Sequence, residues 1–153
     1  MEDRIAKAVA LFKEGYNCSQ SVVAAFADLY GFSEEQALRM SASFGGGIGR
    51  MRQTCGAACG MFLLAGLEKG AVKGDDREGK AANYALVQEL AAEFKKRNGS
   101  LICAELLGLK RPEGSSQPEA RTEQYYAKRP CVQMVEEAAR IWSEYLMQAA
   151  VKE

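Results

Sequence analysis

Apolar residues recur along this chain at helical spacing, and residues that start or stop helices punctuate them. Ile5, Val9 and Phe12 share one face, and Gly15 follows as a stop. Asn17 suits the N-cap of a second helix with Val22, Val23, Phe26, Leu29 and Tyr30 on its apolar face, ended by Gly31. Ser33-Glu34-Glu35-Gln36 matches a capping box and opens a short third helix through about Met40. Thr54 is placed to cap a helix carrying Cys55 to Lys69, stopped at Gly70. Asp75 or Asp76 opens a long helix with Tyr84, Val87, Leu90, Ala91 and Phe94 as its core stripe, ending near Asn98-Gly99. Ser100 is placed to cap a shorter one with Leu101, Ile102, Leu106 and Leu107, stopped by Gly108. Pro130 fits the first turn of a last helix that buries Val135, Ala138, Trp142 and Tyr145.

Between these helices two stretches look irregular. Phe44 to Gly49 is rich in glycine and reads as flexible. Lys110 to Arg129 is polar, carries Pro112, Gly114 and Pro118, and reads as an extended loop, a length that often serves function. No run alternates with period two and no strand-like segments flank a hairpin turn. The expectation is an all-α chain: one domain over residues 1–153, folded as an irregular bundle of about five to seven helices.

Composition narrows the function. Hydrophobic residues make up 48% and charged residues 26%, as in an ordinary globular protein. Lysine plus arginine balance aspartate plus glutamate at 20 each, which argues against nucleic acid as a partner. The N-terminal residues alternate charged and apolar types rather than forming a secretory signal, and no segment is long and apolar enough to span a bilayer. A cytoplasmic protein that is not integral to a membrane is expected. Histidine is absent. Imidazole acid–base catalysis and cysteine–histidine pairs are thereby excluded, and chemistry falls to cysteine, carboxylates, arginine, lysine or tyrosine.

Five cysteines remain, an odd number in a chain expected to stay reduced, so a structural disulfide framework is not the reading. Cys18 follows Asn17, Cys55 follows Thr54, Cys131 follows Pro130, and Cys103 lies within about a turn of Ser100. A thiol at a helix start faces unpaired N–H groups and the positive end of the dipole, both of which favour thiolate. Cys55 and Cys59 share one helix face, as do Gly56 and Gly60, and small residues there let a backbone or ligand approach closely. Arg50 and Arg52 lie just before Cys55, where they favour its thiolate or hold an anion. Neither a phosphate-loop nor a dinucleotide glycine pattern is met. Tyr125-Tyr126 is placed to cover a cleft near Cys131.

Cys18 in Gly15-Tyr16-Asn17-Cys18-Ser19-Gln20-Ser21-Val22, then Cys55-Gly56-Ala57-x-x-Gly60, then single Cys103 and Cys131, resembles the prokaryotic C_GCAxxG_C_C family of redox-active proteins over nearly the whole chain. The resemblance implies that the four family cysteines are Cys18, Cys55, Cys103 and Cys131, with Cys59 an extra. It also implies redox or metal chemistry, often linked to a transporter, without naming a substrate. Three functions follow as expectations. In the first, Cys55 is an activated thiolate with Cys18, Cys103 or Cys131 as its resolving partner, acting on a redox partner or small-molecule substrate. In the second, the four thiolates bind zinc or an iron–sulfur cluster, with Cys59 as a further ligand candidate. In the third, the chain is a helical interaction module whose cysteines merely pack. The first two require the quartet to converge on one cavity, walled by Gly56 and Gly60.

Overall fold

The computed structural model describes residues 1–109 and 114–152. Among them are eight α-helices and no strand: α1 (Glu2–Lys13), α2 (Cys18–Ala24), α3 (Glu34–Ser41), α4 (Gly56–Lys69), α5 (Arg77–Asn98), α6 (Cys103–Leu106), α7 (Glu123–Lys128) and α8 (Cys131–Lys152). The all-α class matches the periodicity. The helix beyond the expected number is α7, which interrupts the predicted loop because the Thr122 hydroxyl caps it, accepting from the Tyr125 N–H at 3.1 Å. Lys110 and Pro112 of that loop lie outside the described residues.

Local capping chemistry sets several helix starts. Asn17 and Gln20 form a reciprocal box: the Asn17 side chain accepts from Gln20 N–H at 2.9 Å, and the Gln20 side chain accepts from Asn17 N–H at 3.1 Å. Ser33 and Gln36 repeat it at α3. Asp76 caps α5 through Gly79 N–H at 2.9 Å. The second helix is shorter than expected, giving way to a 3₁₀ turn over Ala27–Tyr30.

Non-local packing decides which faces are buried. α2 packs against α1, α3, α4 and α8, and α8 packs against α1, α2, α4 and α5. Phe12, Phe26, Met61, Phe94 and Trp142 are fully buried where these helices meet. α4 is buried around most of its circumference from Gly56 to Met61, as expected for a helix with so few polar residues. On α5 the buried row is Leu86, Leu90 and Phe94, and Tyr84 is 61% exposed. Tyr84 was placed in the core by its apolar character, but it lies about 200° around the helix from Leu86. No helix among the described residues is long and apolar enough to cross a membrane.

Gly60 marks the closest approach of α2 to α4. A Cβ there would lie 2.9 Å from the Val22 Cβ and 3.2 Å from the Ser19 carbonyl oxygen. Gly60→Ala is expected to destabilise the fold by about 1–3 kcal/mol through overpacking, measured by urea unfolding. An unchanged midpoint would mean that the two helices are not held this tightly.

Candidate functional site

Four helix starts meet at one cavity of about 410 Å³. Cys18 is the first residue of α2, Cys55 the N-cap of α4, Cys103 the first residue of α6 and Cys131 the first residue of α8. All four line the cavity, as do Gly56, Arg50 and Arg52. Cys59 is buried away from it, its thiol directed at the Thr54 carbonyl at 3.8 Å. Gly60 is not part of the lining: the contacts that require a glycine there come from α2.

Different devices hold the cysteines in place. The Asn17 box fixes the start of α2, and the Asn17 amide also donates to the Ala42 carbonyl at 2.9 Å. Cys55 and Cys103 are tied to each other's segments through the backbone. Thr54 and Ile102 form an antiparallel bridge. On one side of it Cys55 N–H donates to Leu101 O at 2.7 Å, and on the other Cys103 N–H donates to Gln53 O at 2.6 Å. This pairing displaces the expected caps. Thr54 is spent in the bridge and leaves Cys55 at the N-cap, while the Ser100 hydroxyl accepts from Ile102 N–H at 2.9 Å and α6 starts only at Cys103.

The glycine-rich stretch feeding this bridge is not loose. Gly46, Gly47, Ile48, Gly49 and Arg50 all have φ between +57° and +73°, and Arg52 has +60°. A β-branched residue rarely adopts this region, and each non-glycine residue there costs on the order of 1–3 kcal/mol. Cross-turn bonds hold the coil, including Gly49 N–H to Ser43 O and Gln53 N–H to Gly47 O, both 2.8 Å. Gly47 lies at its tightest point: a Cβ would lie 2.6 Å from the Cys103 Cβ and 2.7 Å from the Arg52 Cα.

The thiols differ in character. Cys18 and Cys131 are half-buried, and Cys55 and Cys103 are buried. Cys18 and Cys131 are neighbours in the cavity wall, and the interaction of the two thiols favours the Cys131 thiolate and holds Cys18 protonated, well above its usual range. With the Arg129 and Arg52 guanidiniums and the Tyr125 hydroxyl nearby, this brings Cys131 down to about 7 despite burial. Burial pushes Cys55 up to about 12, and the N–H groups of Ala58 and Ala57 only partly offset it. Burial also raises Cys103, opposed by Arg52, whose guanidinium lies 3.7 Å from its sulfur. The sequence expectation of an activated Cys55 thus meets a dry helix start, where desolvation outweighs the N–H groups. Arg52 is aimed at Cys103 instead.

Residues 114–130 form a strap across the cavity. Arg50 donates to the carbonyls of Ser115, at 2.9 Å, and Gln117. Arg121 donates to the carbonyls of Phe12 and Tyr16 at 2.7 and 2.9 Å, and its guanidinium lies 4.2 Å from the Phe12 ring centroid. Arg129 pairs with Glu119. Tyr125 and Tyr126 pack edge-on against each other and reach Phe12, with Tyr125 lining the cavity beside Cys131. The two tyrosines are legible as cavity residues in the sequence, whereas Arg121 and Arg129 are not among the residues it singles out. For Arg129 the signal available was a guanidinium two residues before Cys131.

Among the described residues, no three Cys, Asp or Glu side chains stand together so as to hold a metal ion. What the four thiols offer is a half-buried neighbouring pair with two buried thiols beside it.

The model of the family described as "Putative redox-active protein (C_GCAxxG_C_C)" matches residues 16–145. No curated protein and no solved structure matches the chain.

Proposed function

The chain belongs to the C_GCAxxG_C_C family, and from that premise we propose that it is a thiol–disulfide redox protein whose working pair is Cys131 and Cys18. The observation that carries this reading is that the two half-buried thiols, at the starts of α8 and α2, are neighbours in the wall of one cavity. Cys131 is the nucleophile: it is held as thiolate by Cys18, Arg129 and Tyr125. Cys18 is the resolving thiol, because it neighbours the sulfur it must attack. Attack of the Cys131 thiolate on a disulfide RSSR′ forms Cys131–SR and expels R′S⁻, which takes up a proton. Cys18 gives up its own proton and attacks the Cys131 sulfur, expelling RS⁻. The protein dithiol is oxidised by two electrons and the substrate disulfide is reduced to two thiols. Arg52 and Tyr125 hold charge and orientation around the pair, and the buried Cys55 and Cys103 line the floor.

Stoichiometric diamide, followed by alkylation of residual thiols and peptide mass mapping, tests the assignment. A Cys18–Cys131 disulfide should form first, with Cys55, Cys59 and Cys103 still reduced. A first bond that leaves out either member of the pair would overturn it. So would oxidation that yields only linkages between molecules.

A further inference from the structure

Cys18 and Cys131 lie far apart in sequence, and one side chain, Arg121, ties together the segments that lead into them. Arg121 donates to the Phe12 carbonyl at 2.7 Å and to the Tyr16 carbonyl at 2.9 Å. The second of these oxygens belongs to the peptide group that joins Tyr16 to Asn17. The N–H of that same group donates to the Gln20 side chain at 3.1 Å. A peptide group is planar and stiff, so one gripped at both its oxygen and its nitrogen is fixed, and Cys18 is the next residue after Asn17. On the other side, the Arg121 guanidinium lies 5.0 Å from the centroid of the Tyr125 ring, and that of Arg129 lies 5.8 Å from the same ring. Arg129 N–H donates to the Tyr125 carbonyl at 3.0 Å, and Pro130 then leads into Cys131. A second tie runs alongside: the Tyr126 hydroxyl donates to the Lys13 carbonyl at 3.3 Å. The turn before α2 is thereby sewn to α7, and α7 to the start of α8.

We infer that Arg121 is a positioning residue for the resolving step of the exchange proposed above, a reading on which this inference rests. In that step the Cys18 thiol gives up its proton and its sulfur attacks the Cys131 sulfur of the Cys131–SR adduct. The bond between Cys131 and SR breaks, and RS⁻ leaves and takes up a proton. The first step of the exchange needs one cysteine and the substrate. The second needs two sulfurs from separate segments in line with the leaving group, and a backbone that holds both in place raises its rate. The bonds of Arg121 end on two carbonyl oxygens and the Tyr126 hydroxyl rather than on a sulfur, so it acts on the pair through the main chain. A guanidinium suits this task. Its planar fork reaches both carbonyls at once while its face lies on Phe12, 4.2 Å from the ring centroid.

Dithiodipyridine, an uncharged disulfide, separates the two steps, because each releases one absorbing thiopyridone. Reduced protein in excess is mixed with it anaerobically, and both releases are followed by stopped flow. The wild type should show a first phase whose rate scales with protein concentration and a second whose rate does not. Arg121→Ala should slow the second phase by about tenfold or more and change the first by less than about twofold. The Cys18–Cys131 reduction potential, measured against glutathione, should rise by about 30 mV for each factor of ten. Arg121→Lys keeps the charge but loses the fork, and should slow the second phase by about threefold or more; it serves as the test if the alanine variant does not fold. Arg140→Ala is the control. It removes an ion pair between α8 and Glu2 of α1 without touching residues 12–16, and should leave both phases as they are. A second phase unchanged in a folded Arg121 variant would overturn the inference. So would both phases slowing alike, or a second phase slowed as much by Arg140→Ala. Each of those results leaves the redox pair standing. A wild type that releases one thiopyridone per reagent molecule and forms no Cys18–Cys131 disulfide ends the redox reading, and the inference with it.

Discussion

Cys131→Ser will remove the fast-reacting thiol, and the alkylation rate of the native protein at pH 7 will fall by about threefold or more. At about 7, half of Cys131 is thiolate at neutral pH. The thiol best placed to react in its absence is the half-buried Cys18, which then lacks the neighbour that holds it protonated. Near an ordinary value of about 8.5 it is ionised in about 3% of molecules. A more basic thiolate is intrinsically a better nucleophile, which returns about fivefold of that roughly fifteenfold difference. Burial keeps Cys55 and Cys59 slower still. The pH profile has a definite sign. The group is an acid with a lowered pKa, so reactivity is lost as pH falls through about 7 and levels off above it. An unperturbed thiol keeps gaining up to about 8.5. Cys18→Ala removes the neighbour that favours the thiolate, and the inflection should then move upward. Iodoacetamide kinetics from pH 5 to 10 with mass-mapped sites measure all of this. A wild-type rate still climbing between about pH 8 and 9, or an unchanged rate in C131S, would remove Cys131 from its role.

Gly47→Ala carries the second large effect. The added Cβ must enter space held by the Cys103 Cβ, the Arg52 Cα and the Gln53 nitrogen, all within 2.7 Å, at φ +73°. Two of those three atoms are backbone, so no side chain can turn aside. Positive φ costs about 1–3 kcal/mol and the steric conflict about as much again, giving about 2–6 kcal/mol. For a chain of this size the melting temperature should drop by roughly 4–24 °C. Gly49→Ala is the internal control. Its φ is +57°, but nothing lies within 4 Å of the added atom, so only the backbone term of about 1 kcal/mol remains. Equal losses in the two variants would mean that the contact with Cys103 contributes nothing.

The sequence makes legible what short-range chemistry decides. Caps at Asn17, Ser33 and Asp76 act on N–H groups within three residues, and those helices begin where their caps predict. The quartet could be picked out because each cysteine stands beside a helix start. What could not be read depends on partners far along the chain. Whether a helix-start thiol is acidic depends on the contest between N–H groups and burial, and burial of Cys55 is set by segments around residues 18, 44 and 101. Cys131 gains its acidity from Cys18, which is 113 positions away. Glycines at 45–47 and 49 suggest looseness, whereas Gly46, Gly47 and Gly49 do the opposite: at positive φ they permit a left-handed coil that lays residues 52–55 against 101–104. Tyr84 looked like core because tyrosine is amphipathic and fits either side of a helix.

The strap over the cavity is fastened largely to atoms that every amino acid possesses. Arg121 and Arg50 grip main-chain oxygens of Phe12, Tyr16, Ser115 and Gln117. At Tyr16, Ser115 and Gln117 the grip does not depend on the side chain that happens to be present. The closure is thus specified at very few positions and is indifferent at the others. Such an arrangement lets the side chains along the strap drift while the clasp and the cysteines beneath it stay constant.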